Sequence, residues 1–197
     1  KNQAVELEFL LKNLSERYID DIDEIIVIDN NSIDDSIKVI QKYGAKCIQI
    51  QNFSYGASAN LAAESALYDI VVIFSAHSFP VSHDFFSQIK LRFENNENLA
   101  GLRCLHNPGD YKNYINKISS KNDPNVSGLI FCGSAFSKKV WKKHKFKADI
   151  QTMEDKEWSV RVMKSGFDIE FSPSIFCYDI KRNPEQNFLR FKNETIG

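Results

Sequence analysis

The sequence is poor in glycine, with eight in 197 residues. It has no run of three spaced glycines after a strand, so the dinucleotide-binding fingerprint is excluded. The four cysteines, Cys47, Cys104, Cys132 and Cys177, form no CxxC pair and no zinc-knuckle spacing. Reduced, cytosolic thiols are the simplest reading. Neither sign of charge dominates: 25 basic against 26 acidic side chains give a formal net charge of −1. That balance excludes a protein that holds nucleic acid by bulk charge. The longest apolar run, 70–74, falls far short of the roughly 20 residues of a membrane helix. No signal peptide is visible.

What is present suits a globular domain. The hydrophobic content is 43%, and a chain of this length buries roughly 70% of its unfolded surface without staples. One basic run stands out, KKVWKKHKFK at 138–147. It reads as a solvated helix face or as a surface for an acidic or membrane partner.

Hydrophobic periodicity gives alternating elements. Apolar positions from Val5 to Leu14 predict a helix. Residues 24–28 form an apolar strand that stops at Asp29. Ser32 or Asp34 caps a helix over 35–43, which ends at Gly44. Strand 47–50, an Ala-rich helix over 56–67 and a buried strand over 70–74 follow. This alternation predicts an α/β fold with a mostly parallel central sheet and flanking helices. Further on, a helix over 83–95 and a strand over 100–105 are expected. Residues 106–127 read as a long loop. A strand over 129–132, a helix capped by Ser137, a helix over 154–164 and paired strands 168–171 and 175–180 complete the pattern. The tail from Pro184 reads as a partial amphipathic helix.

Ligands of such sheets bind beyond the carboxyl ends of the strands. Four polar clusters are therefore candidates. IIVIDNNS at 25–32 puts Asp29, Asn31 and Ser32 at a strand end, either to bond a ribose or base edge or as an ordinary turn and helix cap. NFSYGASAN at 52–60 puts Gly56 at a helix start, where free amides suit a phosphate, or simply a cap. SAHSFP at 75–80 puts His77 just past a buried strand, as a metal ligand or a structural histidine. MEDKEW at 153–158 puts Glu154 and Asp155 in a first helical turn, where they meet the helix dipole or serve as a general base.

In this order, the clusters resemble glycosyltransferase family 2, across about residues 1–180. The family has a strand ending in an acidic turn, as in IIVIDNNSIDDS, and a Gly-to-Asn helix start, as in YGASANLAAESA. It has an acidic metal motif after a buried strand, and a Glu-Asp pair before a Trp helix, as in EDKEWSVRVMKSGF. The resemblance implies the Rossmann-like nucleotide-sugar (GT-A) fold, with 1–105 as nucleotide-sugar half, 106–180 as acceptor half and 181–197 as a helical tail. It implies inverting transfer of a sugar from a UDP-, dTDP- or GDP-sugar to a saccharide or lipid-linked hydroxyl acceptor, in cell-surface polysaccharide synthesis. The implied location is the cytoplasm, at the inner face of the membrane. Asp29, Asn31 and Ser32 would line the nucleotide pocket, and Gly56 and Asn60 would lie near the nucleotide-sugar. Ser75, Ala76 and His77 stand at the Asp-x-Asp position. Asp155 matches the catalytic base, with Glu154 and Trp158 beside it, and Gly133 and Ser134 would border the acceptor.

The sequence departs from that pattern in three places. Ser75-Ala76-His77 replaces Asp-x-Asp, and Asp179 stands near where the family often has a His. Together His77 and Asp179 are read as an exchanged pair for a divalent ion, Mn²⁺ or Mg²⁺. The apolar strand that opens family members, ahead of a Lys-Asn pair, is not found before Lys1-Asn2. A catalytically silent nucleotide-binding or interaction domain of the same fold is the alternative. A sugar-nucleotidyltransferase is weaker still, because no Gly-rich basic phosphate loop is present.

Overall fold

A computed structural model describes residues 1–119, 128–150 and 152–180, together with Pro184, Glu185 and Phe188. The chain opens with α1 (Ala4–Arg17), whose Leu7, Leu10, Leu11 and Leu14 form the expected buried stripe. Then come β1 (Ile26–Asp29), α2 (Ser36–Lys42), β2 (Lys46–Gln49), α3 (Tyr55–Ser65) and β3 (Ile70–Ile73). β1 and β2 pair in parallel across α2, with Val27 opposite Cys47. The α/β architecture read from the sequence is therefore present.

The second half supplies β4 (Ser78–Pro80), α4 (Phe85–Asn95), β5 (Leu99–Leu105), α5 (Pro108–Ile115), β6 (Ser134–Ser137), α6 (Lys138–Lys143), α7 (Glu154–Lys164) and β7 (Asp168–Tyr178). Five strands form one sheet in the order β3-β6-β5-β7-β4. β5 lies at its centre and every residue of it is buried. Only β5 and β7 run parallel in this sheet; its other pairs are antiparallel. Parallel pairing is thus confined to β1–β2 and β5–β7, less of the sheet than expected. β6 runs against both of its neighbours, and β7 runs against β4.

Three local expectations change. Residues 129–132 are apolar but form no strand. Their amides are satisfied by side chains instead: Leu129 N–H donates to Ser159 Oγ, Ile130 N–H to Ser134 Oγ and Phe131 N–H to Asp155 Oδ2. The strand is displaced to Ser134–Ser137, where Ser137 also caps α6. The loop predicted over 106–127 contains α5, which Asn107 caps and Pro108 opens. Residues 120–127 lie outside the described set. Residues 168–180 are not a hairpin. β7 runs straight through Ser172-Pro173-Ser174, with Arg103 opposite Phe171 and Leu105 opposite Ile175. The bulge absorbs the proline, which cannot donate to a ladder. Buried Ser172 and Ser174 bond each other, and Ser174 Oγ donates to Phe85 O. The helical tail predicted from Pro184 falls almost entirely outside the described residues.

The core divides into two clusters. One lies under α1, α2 and α4; the other fills the space between α3, α6 and α7 around Trp158. Between them, β1 and β3 belong to separate sheets and do not pair. Both border one open cavity of about 2400 Å³. The space between the two strands is an open lane.

Candidate active site

Strand ends and one helix start meet at the mouth of that cavity. β1 delivers Asp29 and Ser32, β3 is followed by Ser75, Ala76 and His77, α7 opens with Glu154 and Asp155, and β7 is followed by Asp179. These eight predicted residues line that one cavity. The β1 turn is held locally. Asp29 is 5% exposed and accepts the Ser32 N–H at 2.9 Å. Asn31 sits in the left-handed region at φ 49°, which asparagine tolerates. It turns its amide away, to Ile50 O at 3.2 Å. Asn2 closes the turn from the other side: its N–H donates to Ser32 Oγ and its side chain accepts from Ile33 N–H.

His77 and Asp179 are brought together, joined by a 2.9 Å bond from Asp179 N–H to His77 O. The His77 ring lies against Tyr178, with centroids 5.0 Å apart, and its Nδ1 is 3.3 Å from Gln3 Oε1. Among the described residues, no group of three His, Cys, Asp or Glu side chains converges as a metal site.

The acidic pair is the electrostatic centre of the wall. Met153 precedes α7 in the left-handed region at φ 64°, an uncommon conformation for an unbranched non-glycine residue. It turns the chain so that Glu154 and Asp155 start the helix at the cavity. A helix N-terminus stabilises carboxylates, yet here burial outweighs it. Glu154 is 5% exposed and its Oε2 has no hydrogen-bond partner. Burial, with the adjacent Asp155 charge adding, pushes its carboxyl up to about 7. Burial also raises Asp155, against bonds from the Lys156 and Phe131 amides that favour its charged form.

Six other predicted residues lie outside the cavity lining and serve packing. A Cβ on Gly56 would meet Lys147 O at 2.2 Å, so the glycine permits close approach of backbone, not of a ligand. Asn60 Oδ1 accepts from Trp141 Nε1 and Phe146 N–H, while its Nδ2 donates to Phe146 O. A Cβ on Gly133 would meet the Phe176 ring at 2.2 Å. Ser134 is buried in β6, Trp158 is fully buried with its Nε1 donating to His144 O, and Asn31 faces Ile50.

One group at the wall escaped the sequence reading. Arg103, His106 and Asn107, at and after the end of β5, line the same cavity. Asp110 on α5 joins them. It bonds Arg103 Nη2 at 2.9 Å and His106 Nδ1 at 2.6 Å, and accepts from Asn107 Nδ2 at 3.0 Å. Burial would raise Asp110, but the His106 hydrogen bond and the Arg103 charge outweigh it and hold the carboxyl below its ordinary value. The His106 ring stacks on Phe176 at 5.1 Å. The signal was available: polar residues follow a buried strand, and Asn-Pro opens a helix.

The basic run at 138–147 is partly engaged. Lys138 donates to Ala66 O, Lys147 pairs with Glu157 at 3.1 Å, and Lys145 lies over the Trp141 ring. Lys139, Lys142 and Lys143 are exposed. No helix among the described residues is long and apolar enough to cross a membrane.

Known structures share this fold. The mannosyltransferase PcManGT from Pyrobaculum calidifontis, in complex with GDP-Man and Mn²⁺, matches with a TM-score of 0.74 at 16% identity, covering 96% of this chain and 57% of that one. Glucosyl-3-phosphoglycerate synthase from Mycobacterium tuberculosis, in complex with Mn²⁺, UDP and phosphoglyceric acid, gives 0.67 at 13% identity, covering 99% and 72%. S. aureus TarS 1-349 gives 0.69 at 14% identity, covering 91% and 56%. The chain therefore spans little more than half of the mannosyltransferase and of TarS. At these identities the likeness is one of fold. No curated protein sequence matches the chain. The glycosyl transferase family 2 model matches residues 1–163, which takes in β1, β3 and the acidic pair of α7, and the chain belongs to that family.

Proposed function

We propose that the chain transfers a sugar, with inversion, from a nucleoside diphosphate sugar to a hydroxyl acceptor. The observation that carries this reading is the placement of Asp155, a carboxylate raised by burial, across one cavity from the Asp29 strand end. The acceptor oxygen attacks the anomeric carbon while Asp155 takes its proton. The bond from that carbon to the diphosphate breaks, and its electron pair leaves with the nucleoside diphosphate. A base whose pKa is lifted toward neutrality is matched to this proton transfer. Burial raises both carboxyls of the pair, that of Glu154 to about 7.

Asp29 and Ser32 hold the ribose or base edge. Ser75, Ala76 and His77 border the diphosphate. Gly56 and Asn60 act at one remove, by fixing α3, and Gly133, Ser134 and Trp158 by shaping the acceptor side. A divalent ion fits His77 and Asp179 only as two protein ligands completed by diphosphate oxygens, and the imidazole nitrogen suits Mn²⁺ better than Mg²⁺, which prefers oxygen donors. Bound there, it would neutralise charge on the departing diphosphate. UDP-, dTDP- or GDP-sugars as donors, a saccharide or lipid-linked acceptor, cell-surface polysaccharide synthesis, and a cytoplasmic place at the membrane face reached through Lys139, Lys142 and Lys143 all belong to this proposal.

The test is release of nucleoside diphosphate from a panel of nucleotide sugars, with and without Mn²⁺, by the wild type and Asp155→Asn. Loss of a positioned general base reduces the rate by about 10²–10⁴-fold. Asp155→Asn should keep donor binding, read by thermal shift, and lose turnover on that scale. Near-normal turnover would reassign the base. Binding without any turnover by the wild type would favour the catalytically silent reading, to which the absence of a three-ligand acidic cluster among the described residues lends weight.

A further inference from the structure

Residues 128–131 lead toward β6 without joining the sheet, and a side chain holds each of them. Arg103 Nη1 donates to Gly128 O at 3.1 Å. Leu129 N–H donates to Ser159 Oγ at 2.9 Å, Ile130 N–H to Ser134 Oγ at 2.9 Å and Phe131 N–H to Asp155 Oδ2 at 3.3 Å. Two of these partners belong to α7, one turn apart: Asp155 in its first turn and Ser159 in the next.

Ser159 is fully buried and uses its hydroxyl twice. It donates to Asp155 O at 2.7 Å and accepts the Leu129 N–H. A hydroxyl has one proton and an amide N–H can only donate, so the two roles are fixed. Helical serines commonly bond back to the carbonyl four residues earlier. The bond from Leu129 is what carries this contact beyond the helix. It ties the backbone of Asp155 to residue 129, while the Asp155 carboxylate is bonded to residue 131.

The Phe131 bond sets how that carboxylate points. Rotation about χ2 of an aspartate is broad and roughly two-fold. The Lys156 N–H engages Oδ1 at 2.8 Å. With the Phe131 N–H on Oδ2, one bond holds each oxygen, and lone pairs remain on both for a proton. At 3.3 Å the Phe131 bond has little slack, because N–H···O bonds lie within about 2.7–3.2 Å. Leu129 is fully buried in the cluster that holds Trp158. Without the Ser159 hydroxyl its N–H has no water to turn to, and the chain must shift to satisfy it. Phe131 is only two residues further on.

We propose that Ser159 is the positioning residue of Asp155: by holding Leu129 it keeps the Phe131 N–H on the carboxylate. The proposal rests on the reading of Asp155 as the base. Ser159 touches no substrate and acts through the segment it holds.

The test uses Ser159→Ala in the full chain, a change that removes one oxygen and favours a helix. Ser174→Ala is the control, an equally buried serine in β7 that bonds Phe85 O. The first readout needs no substrate: the amide proton resonance of Phe131 and its hydrogen exchange. In Ser159→Ala the resonance should move to its position in Asp155→Ala, where the acceptor is gone, and exchange should quicken by about tenfold or more. Ser174→Ala should leave both as in the wild type. The second readout is nucleoside diphosphate release from whichever nucleotide sugar the wild type turns over. Ser159→Ala should lower kcat by about ten- to a hundredfold with the donor KM unchanged, since a misplaced base costs rate and not binding. A Phe131 amide that behaves in Ser159→Ala as in the wild type overturns the proposal. So does one that moves equally in Ser174→Ala, or one that moves while kcat stays intact. A wild type without turnover sinks the reading of Asp155 as the base instead, and the amide readout still decides whether Ser159 holds the carboxylate.

Discussion

Replacing Glu154 by Gln isolates the cost of the buried acid at the head of α7. In the folded protein its carboxyl titrates near 7, against an ordinary value of 4.5. A shift of about 2.5 units, at roughly 1.4 kcal/mol each, is on the order of 3 kcal/mol. The sign follows from which state binds the proton. Between pH 4.5 and 7 the folded state keeps the Glu154 proton and the unfolded state has lost it. Stability from this group is therefore fully present below pH 4.5 and is lost as pH rises through 7. Gln cannot titrate, so it removes that slope. Urea denaturation, followed by fluorescence of the buried Trp141 and Trp158, should show the variant gaining on the wild type by about 3 kcal/mol between pH 4 and pH 8. The amide also changes the unpartnered oxygen, but that offset does not vary with pH, so the slope is the readout. Asp110 does not contaminate it. Its carboxyl is held below 3.8, and its contribution is present above that value and lost only as pH falls further. A difference between variant and wild type that stays constant from pH 4 to pH 8 would refute the reasoning.

The remaining predictions concern neighbouring positions. Because the Asp155 charge helps raise Glu154, Asp155→Asn should move the inflection of the wild-type stability profile to lower pH; an unmoved inflection would mean the two carboxyls do not interact. Gly56→Ala places a methyl 2.2 Å from Lys147 O, backbone against backbone, and should destabilise by about 1–3 kcal/mol in the same denaturation assay. Asn60→Leu strands the Trp141 and Phe146 donors and should cost about 2–4 kcal/mol at roughly 1–3 kcal/mol per orphaned group, while leaving nucleotide affinity of the folded protein unchanged. Calorimetric titration of Mn²⁺ with nucleotide should weaken in His77→Ala and in Asp179→Ala; unchanged affinity in both would remove them as metal ligands.

The first half of the fold was legible because its elements are set by short-range rules. Apolar runs ending in Asp29 and in Ser75, with a turn at Gly44, define β1 to β3 within a residue or two. The second half was not, because long-range partners decide it. Residues 129–131 look like a strand, but Ser159, Ser134 and Asp155 take their amides. Ser172-Pro173-Ser174 looks like a turn, but the two serine hydroxyls satisfy each other inside the sheet. The same division holds at the candidate site. Asp29, His77, Glu154 and Asp155 follow from position at strand and helix ends. Gly56 and Asn60 have the right local chemistry for a phosphate, yet their contacts are with residues 81 or more positions away, which no local pattern contains.

These long-range contacts and the open lane bear on one question, which is what holds the cavity wall in register. Asp155 is fixed to Phe131 and to the start of α7. α7 packs through Trp158 and Val162 on the cluster that also holds Ala59 and Val71. The acidic pair, α3 and β3 therefore move as one unit. Asp29 belongs to the other unit, through β2 and the cluster under α1. The units are tied at the two ends of the lane, through Glu24 with Leu67 and Gln3 with His77, by Lys46 Nζ donating to Ser65 O, and by Ile70, Val72 and Phe74 packing on the cluster under α1. A general base is sensitive to misplacement on the scale of about 1 Å. The spacing between the Asp29 strand end and the acidic pair thus depends on these contacts between the units. Glu24→Ala, which removes the acceptor at the far end of the lane, should speed amide exchange at Leu67. If instead the Leu67 amide exchanges as before, the other contacts between the units suffice to hold that end closed.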